Sequence, residues 1–291
     1  MTLHNRSLES GGTNRHASDQ TEINAPPLSL AVWAIPPEDR VLPPNEVHVW
    51  RVCLDGTPGF SVLADMLSPS ERHKAMRFRF SRDRDCYVVT RGILRYLLGC
   101  YLRQDPCSLQ LTVNEFGKPF LVTERSSDAI HFNVSHSHEL ALLAFVRERE
   151  IGVDLEYVRS QLDVLALAQQ FFAPGEVAEL HRLDPTLRTA GFFNCWTRKE
   201  SYIKARGLGL SLPLDRFQVS LRPGSPVALL CLDDDSDETL RWCLRELAPG
   251  SDYVGALAVE GQDWQLKTWQ WASNNSVAAP AENCNMYDPQ T

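Results

Sequence analysis

The stretch that most constrains this chain runs from Phe192 to Phe217 and reads FFNCWTRKESYIKARGLGLSLPLDRF. Its apolar residues recur at helical spacing up to Arg206, and Gly207 suits the left-handed turn that ends a helix. Asp184 and Pro185 supply the matching start, an N-cap residue followed by a proline at the first helical position. The sequence therefore predicts a long amphipathic helix that runs into a glycine-rich loop.

On that helix Trp196, Glu200 and Lys204 follow one another at intervals of four residues and share one face. A carboxylate is thereby placed beside an ammonium group. As an exposed ion pair these charges would contribute only about 0.3–0.5 kcal/mol, and such a pair is the plain structural alternative to a functional one. A second acidic element upstream favours a function.

That acidic element is the predicted strand IGVDLE, residues 151–156, in which Asp154 and Glu156 leave the same face. Two like charges about 5 Å apart repel by roughly 3 kcal/mol at an effective dielectric of 20, and a divalent cation would offset this repulsion. All-oxygen ligation suits Mg²⁺ or Mn²⁺ better than zinc. The alternative is an edge strand whose acidic residues prevent aggregation. With Glu200 as a third carboxylate, we favour the metal.

A basic segment between residues 72 and 95 supplies candidate contacts for an anionic ligand, among them Lys74 and Arg82. It begins with Ser68-Pro69-Ser70-Glu71, a capping box that opens a short helix. Most of these cations are expected to be solvated, but their number in a chain of net charge −8 also suits an anion.

Further candidates lie in a turn and at the end of a strand. Lys118 and Pro119 belong to the turn NEFGKP, where glycine and proline fix the backbone and a lysine can face a phosphate. Asn133, Ser135 and His136 fall near the end of the predicted strand HFNVSHS, a usual place for ligand contacts. No third soft ligand accompanies the histidines, so we do not expect zinc there.

Composition and charge exclude several classes of protein. The net charge of −8 argues against a general nucleic-acid binder. The sequence contains no apolar run long enough to predict a membrane span, and its polar N-terminus does not resemble a signal peptide. We therefore expect a cytoplasmic protein without membrane partners. The eight cysteines contain no C-x-x-C pair and no histidine at zinc spacing.

The order of predicted elements indicates an α+β fold with two similar halves, each a small antiparallel sheet packed with helices. Residues 1–45 are expected to be a disordered or draped extension, 46–150 the N-terminal half, 151–271 the C-terminal half, and 272–291 a frayed tail. The segment Val47–Val52 alternates in polarity and predicts a strand with one solvent-facing side.

Several motifs together resemble the 4′-phosphopantetheinyl transferases, in their long, Sfp-type branch. They are FNVSHS at 132–137, GVDLE at 152–156 and WTRKESYIKARGLGLSLPLDRF at 196–217, with FGKP at 116–119 and SPSERHKAMRFRF at 68–80 in the same order. The paired D-x-E and W-x-x-K-E-x-x-x-K motifs are specific at this separation. The resemblance covers residues 46–271.

The resemblance implies a pseudo-twofold α+β monomer with coenzyme A and Mg²⁺, or Mn²⁺, in the cleft between the halves. It also implies transfer of the phosphopantetheine arm from coenzyme A to a serine of an apo acyl, peptidyl or polyketide carrier protein, with release of adenosine 3′,5′-bisphosphate. Asp154, Glu156 and Glu200 would then be metal ligands. From the chemistry of the reaction we choose Glu200 as the general base for the carrier serine, directly or through a metal-bound water, with purely electrostatic positioning as the alternative. Lys204 would meet the pyrophosphate.

For coenzyme A, the resemblance implies phosphate contacts from Lys118, with Pro119 beside it, and from His136. Asn133 and Ser135 would line the nucleotide pocket. Lys74 and Arg82 match less closely, as phosphate contacts from the early helical region. One departure is Glu71, which stands where some relatives have a lysine of the 3′-phosphate site.

Two other functions use the same residues. A Mg²⁺-dependent phosphohydrolase would act on a nucleotide pyrophosphate through the same three carboxylates and would need no carrier protein. A non-catalytic coenzyme A-binding or scaffold protein would need no general base, so the acids and Lys204 argue against it. The sequence does not name the carrier protein.

Overall fold

A computed structural model of the chain describes residues 33–57, 59–123, 129–232 and 236–271. The predicted frayed tail, and residues 1–32 of the predicted N-terminal extension, lie outside these ranges. Within residues 33–45, Ala34 pairs with Trp269 of the edge strand of a sheet, and Leu42 is buried in the core. No helix in the described ranges has the length and apolar character needed to cross a membrane.

The described residues form seven α-helices and eleven β-strands. The helices are α1 Phe60–Asp65, α2 Pro69–Met76, α3 Ser81–Leu102, α4 Val164–Phe171, α5 Pro174–Arg182, α6 Arg188–Arg206 and α7 Ser236–Arg241. The strands are β1 Glu46–Cys53, β2 Leu111–Val113, β3 Pro119–Leu121, β4 Ile130–Ser137, β5 Leu140–Arg147, β6 Ile151–Tyr157, β7 Phe217–Val219, β8 Leu229–Leu232, β9 Trp242–Gly250, β10 Tyr253–Glu260 and β11 Gln265–Gln270.

Two main sheets, each associated with helices, confirm the predicted α+β fold of two halves. One sheet has the strand order β11-β1-β5-β4 and the other β6-β10-β9, and two small hairpins, β2-β3 and β7-β8, complete the strands. All described pairs of strands are antiparallel except β1 with β11, which is parallel. The last described strand, β11, thus lies in the same sheet as the first described strand, β1.

The predicted helix signals act as expected, with one difference at the start of α6. Ser68 and Glu71 form the predicted capping box of α2. Asp184 caps a 3₁₀ turn, Pro185–Leu187, and α6 continues from it rather than starting there. Gly207 ends α6 with a left-handed φ of 65°.

The prediction that one side of β1 faces solvent is wrong, because both faces of this strand are buried. Trp50 and Val52 pack with residues of α3, while Val47 and Val49 pack with residues of β6 on the other face. The alternation in sequence therefore separates two cores rather than a core and a surface. A period of two identifies the strand but cannot show that a second layer covers it.

Helix α6 packs directly on β6 because Gly152 has no side chain. A Cβ atom at this position would lie 2.0 Å from the carbonyl oxygen of Ser201 and 2.3 Å from the amide nitrogen of Ala205. Such distances do not occur in real structures, so only glycine permits this approach of helix and strand. The contact brings the face of α6 that carries Lys204 next to Asp154.

We predict that Gly152→Ala lowers the free energy of unfolding by about 2–3 kcal/mol, because the helix backbone must move to admit the methyl group. Urea denaturation measures this effect. Gly250→Ala is the matched control, since a Cβ there meets its nearest atom at 3.5 Å. The control is expected to change stability by less than about 0.5 kcal/mol. Equal losses in both variants would contradict the packing argument.

Candidate active site

Three predicted site residues from three elements meet at one point. The Nζ atom of Lys204 on α6 lies 2.6 Å from Asp154 Oδ1 on β6 and 3.0 Å from Ser135 Oγ on β4. Ser135 Oγ also lies 3.0 Å from the same oxygen of Asp154. Asp154 is 3% exposed and the side chain of Lys204 is 28% exposed, so this ion pair is partly desolvated and its attraction is stronger than that of a fully exposed pair.

The second carboxylate oxygen of Asp154 differs from the first, because it has no partner among the described residues. Oδ2 is buried and makes no hydrogen bond with any described residue. A buried acceptor of this kind costs free energy unless a donor or a cation satisfies it. Asp154 therefore has one oxygen neutralised by Lys204 and one available for another ligand.

Glu156 and Glu200 are electrostatically coupled to Asp154. Burial raises the pKa of both glutamates, the negative charge of Asp154 raises it further, and the ammonium of Lys204 lowers it in part. The three acids thus share one electrostatic environment. Within the described ranges, however, no three His, Cys, Asp or Glu side chains are grouped closely enough to hold a metal ion. Assignment of these acids as metal ligands stays a prediction.

Asn133 and Ser135 hold strands together, whatever their part in ligand binding. Asn133 Oδ1 accepts a hydrogen bond of 2.9 Å from the amide of Val153, and Ser135 Oγ accepts one of 3.3 Å from Leu155. Sequence reasoning missed a third residue of this series, Ser137. Its signal was present, because FNVSHS places polar residues at every second position.

Lys118 and the hairpin that carries it are attached to the C-terminal end of α6. Lys118 Nζ donates to the carbonyl of Ala205 at 2.8 Å and pairs with Glu150 at 2.7 Å. Asn114 in the same turn donates to the carbonyl of Gly207. A cation near the last carbonyls of a helix is favourable because these groups carry partial negative charge.

A cavity of about 350 Å³ lies between this hairpin and α6. Its lining combines the predicted contacts Lys118 and Pro119 with aromatic, histidine and arginine side chains, among them Phe120, His131 and Arg206. The three acids of the β6 and α6 region do not contribute to the lining. We call this space the hairpin cavity, and we call Asp154, Glu156 and Glu200 the acidic group. The two are neighbouring but separate features around α6.

The other predicted contacts for coenzyme A lie at the surface. Lys74 is exposed, with its ammonium 5.2 Å from the ring centre of Tyr87. Arg82 is 3.9 Å from Glu139 in an exposed ion pair. His136 on β4 is open to solvent on one side, and partial desolvation by the surrounding protein, followed by the charge of Lys204, lowers its pKa.

Glu71 has a structural role that explains the departure from the expected lysine. It is buried, caps α2 through Ser68, and pairs with Arg91 at 2.7 Å and Arg95 at 2.6 Å. Arg95 also donates to the carbonyls of Pro106 and Leu109. A carboxylate committed to two arginines is not an anion contact.

Comparison with known proteins decides the family. Residues 150–258 match the 4′-phosphopantetheinyl transferase superfamily, and residues 55–148 match the family described as 4′-phosphopantetheinyl transferase, N-terminal. Over 240 residues the chain is 38% identical to the 4′-phosphopantetheinyl transferase HetI of Nostoc sp., covering 82% of this chain and 98% of that protein. This chain belongs to the 4′-phosphopantetheinyl transferase family.

Two further members of the family show the range of similarity. The phosphopantetheinyl transferase of Thraustochytrium sp. is 30% identical over 234 residues, which are 75% of this chain and 80% of the relative. The 4′-phosphopantetheinyl transferase Sfp of Bacillus subtilis is 33% identical over 170 residues, 58% of this chain and 73% of Sfp. These relatives confirm the predicted Sfp-type branch and the predicted enzyme class.

We predict that Glu150→Gln loosens the hairpin in a pH-dependent way. Burial alone would raise the pKa of Glu150, but hydrogen bonds from His131 and Lys118 lower it to about 2. A carboxyl whose pKa is lowered by folding stabilises the protein above its ordinary pKa near 4.5 and loses this contribution as the pH falls toward 2. Above about pH 5, the free energy of unfolding should therefore be larger for the parental chain than for the variant.

The difference should shrink between about pH 4.5 and 2, as measured by urea denaturation at several pH values. Glu115→Gln is the control, since Glu115 is an exposed residue of the same hairpin turn. The control should differ little from the parental chain at any pH. A difference for Glu150→Gln that is constant from pH 7 to 3 would contradict the assignment.

Proposed function

We propose that the chain transfers the 4′-phosphopantetheine group from coenzyme A to a serine of an apo acyl, peptidyl or polyketide carrier protein. The reaction would depend on Mg²⁺, with Mn²⁺ as an alternative, and would release adenosine 3′,5′-bisphosphate. Family membership supports the class of reaction. The convergence of Lys204, Asp154 and Ser135 at a buried point supports this location for the chemistry.

The chemistry of Asp154, Glu156 and Glu200 supports a divalent cation as their ligand, although among the described residues the three acids are not grouped around one ion position. Asp154 Oδ2 is a buried oxygen with no hydrogen-bond partner in the described part of the chain, and Glu156 and Glu200 are close enough for the charge of Asp154 to raise their pKa values. Oxygen ligands of this kind suit Mg²⁺. When bound by these three acids, the ion would neutralise charge on the pyrophosphate of coenzyme A.

In the proposed reaction the carrier serine hydroxyl attacks the phosphorus that bears the pantetheine arm. The new serine O–P bond forms as the bond to the bridging oxygen breaks, and adenosine 3′,5′-bisphosphate leaves with the electron pair. Glu200 would take the proton of the serine, and its raised pKa favours this role because a base works best near the ambient pH. Lys204 would stabilise the charge that develops on the leaving group.

For coenzyme A we propose contacts from two regions. Lys118 and Pro119 line the hairpin cavity, and Lys74, Arg82 and His136 are available at the surface. Asn133 and Ser135 are buried with partners in the protein, so their proposed part in the nucleotide pocket would be indirect. A cytoplasmic location and a monomeric state stay predictions.

We predict that Glu200→Gln retains coenzyme A binding but lowers the rate of transfer by about 10²–10⁴-fold, because the amide cannot accept the serine proton. Mass spectrometry of an apo carrier protein measures the transfer, and calorimetry measures the binding. Glu115→Gln should keep the parental rate. A parental rate in Glu200→Gln would overturn the assignment of the base.

We predict that Mg²⁺ raises the melting temperature of the parental chain and that Asp154→Asn abolishes this shift along with transfer. A ligand that binds only the folded state stabilises it by RT ln(1 + [L]/Kd), so the shift grows with the Mg²⁺ concentration and vanishes when the site is lost. Unchanged turnover in excess chelator would contradict the metal site. Release of adenosine 3′,5′-bisphosphate from coenzyme A without any carrier would instead favour the phosphohydrolase.

A further inference from the structure

Strands β4 and β6 lie side by side but belong to different sheets, and side chains rather than backbone groups join them. Asn133, Ser135 and Ser137 are alternate residues of β4. They accept hydrogen bonds of 2.9, 3.3 and 3.0 Å from the backbone amides of Val153, Leu155 and Tyr157 on β6. We call this series the β4–β6 ladder. Along the ladder the residue numbers increase in the same direction on β4 and on β6, so the two strands run parallel.

Each serine of the ladder makes a second contact, with the acid that precedes its backbone partner. Ser135 Oγ lies 3.0 Å from Asp154 Oδ1, and Ser137 Oγ lies 3.4 Å from Glu156 Oε2. Asn133 has no such contact, because the residue at the equivalent position is Gly152. The pattern N-x-S-x-S on β4 therefore matches G-x-D-x-E on β6, with a hydroxyl opposite each carboxylate.

The direction of these hydrogen bonds is fixed by the neighbouring groups. A serine hydroxyl has one proton to donate and two lone pairs that accept. Around Ser135 the Leu155 amide and the Lys204 ammonium are donors only, so its proton must point to Asp154. At Ser137 the amide of Tyr157 is a donor, and the carboxylate of Glu156 is the acceptor.

We propose that Ser135 and Ser137 are positioning residues, which hold Asp154 and Glu156 in the orientation that a divalent cation requires. The hydroxyls come from the sheet of the first half and the acids from the sheet of the second, so one half sets the geometry of ligands in the other. This inference rests on the proposed function. Partners that orient metal ligands typically change metal affinity by 10–100-fold when they are removed.

Ser137 provides the sharper test, because among the described residues its hydroxyl forms hydrogen bonds only with Glu156 and the amide of Tyr157. The probe is Mn²⁺ alone, with the free ion counted by its electron paramagnetic resonance signal during titration of the full chain. Ser137→Ala should weaken Mn²⁺ binding about tenfold. It should raise the Mg²⁺ concentration for half-maximal transfer by a similar factor, with little change in kcat at saturating Mg²⁺.

Two variants of the same residue separate the hydroxyl from its volume. Ser137→Thr keeps the hydroxyl and should bind Mn²⁺ within about threefold of the parental chain. Ser137→Cys keeps nearly the same shape but offers only a weak donor, so it should lose affinity even if Ser137→Ala does not fold.

Asn133→Ala is the matched structural control. It removes the hydrogen bond from the Val153 amide, which involves no carboxylate, so it should lower the free energy of unfolding while Mn²⁺ affinity, measured without coenzyme A, stays within about twofold. An equal loss of affinity in Asn133→Ala and Ser137→Ala would overturn the proposal, because the ladder would then act only through stability. Parental affinity in Ser137→Ala and Ser137→Cys would overturn it as well.

Asp154→Asn distinguishes failure of this inference from failure of the proposed function. If Asp154→Asn loses Mn²⁺ binding and the Ser137 variants keep it, the inference about the serines alone is wrong. If Asp154→Asn binds Mn²⁺ like the parental chain, the proposed metal site itself is wrong, and the inference is overturned with it.

Discussion

The rest of the site depends on the close contact between α6 and β6 at Gly152. The backbone of Ser201 and Ala205 occupies the space that any side chain at position 152 would need. This approach places Lys204 within 2.6 Å of Asp154 across the same interface. One missing side chain in the strand thus decides where the helix that carries Glu200 and Lys204 comes to lie.

Charged groups on the face of α6 that points away from Asp154 hold the helix in position. Lys199, which directly precedes Glu200, is fully buried, pairs with Glu176 at 2.8 Å and donates to the carbonyl of Phe217. Glu176 in turn accepts from the amides of Ala173 and Val219. Removing one member of a buried, paired group leaves an uncompensated charge, so this network constrains the rotation of α6 strongly. Two neighbouring residues of one motif therefore face different surroundings, Lys199 the core and Glu200 the acidic group.

The carboxylates of Asp154, Glu156 and Glu200 repel one another, and other groups in the fold must offset this repulsion. Burial and the charge of Asp154 both raise the pKa values of Glu156 and Glu200, which means that the folded state disfavours three ionised carboxylates together. Lys204 and the serine hydroxyls offset part of this cost around Asp154 and Glu156. Asp154 Oδ2 remains the place where the compensation is incomplete. An imperfect electrostatic balance in a buried group is typical of sites that bind a further ligand.

The sequence by itself determined the helix from its cap signals, the acidic strand from its period of two, and the family from the order of its motifs. Local rules were sufficient for these, because capping and alternation act between residues close in the chain. Only the tertiary structure decided which residues come into contact. It buried the second face of β1 and paired Glu71 with two arginines. It also joined Lys118 to α6 and Ser137 to β6. Each of these joins residues distant in sequence, and such contacts depend on how layers pack, which no local pattern specifies.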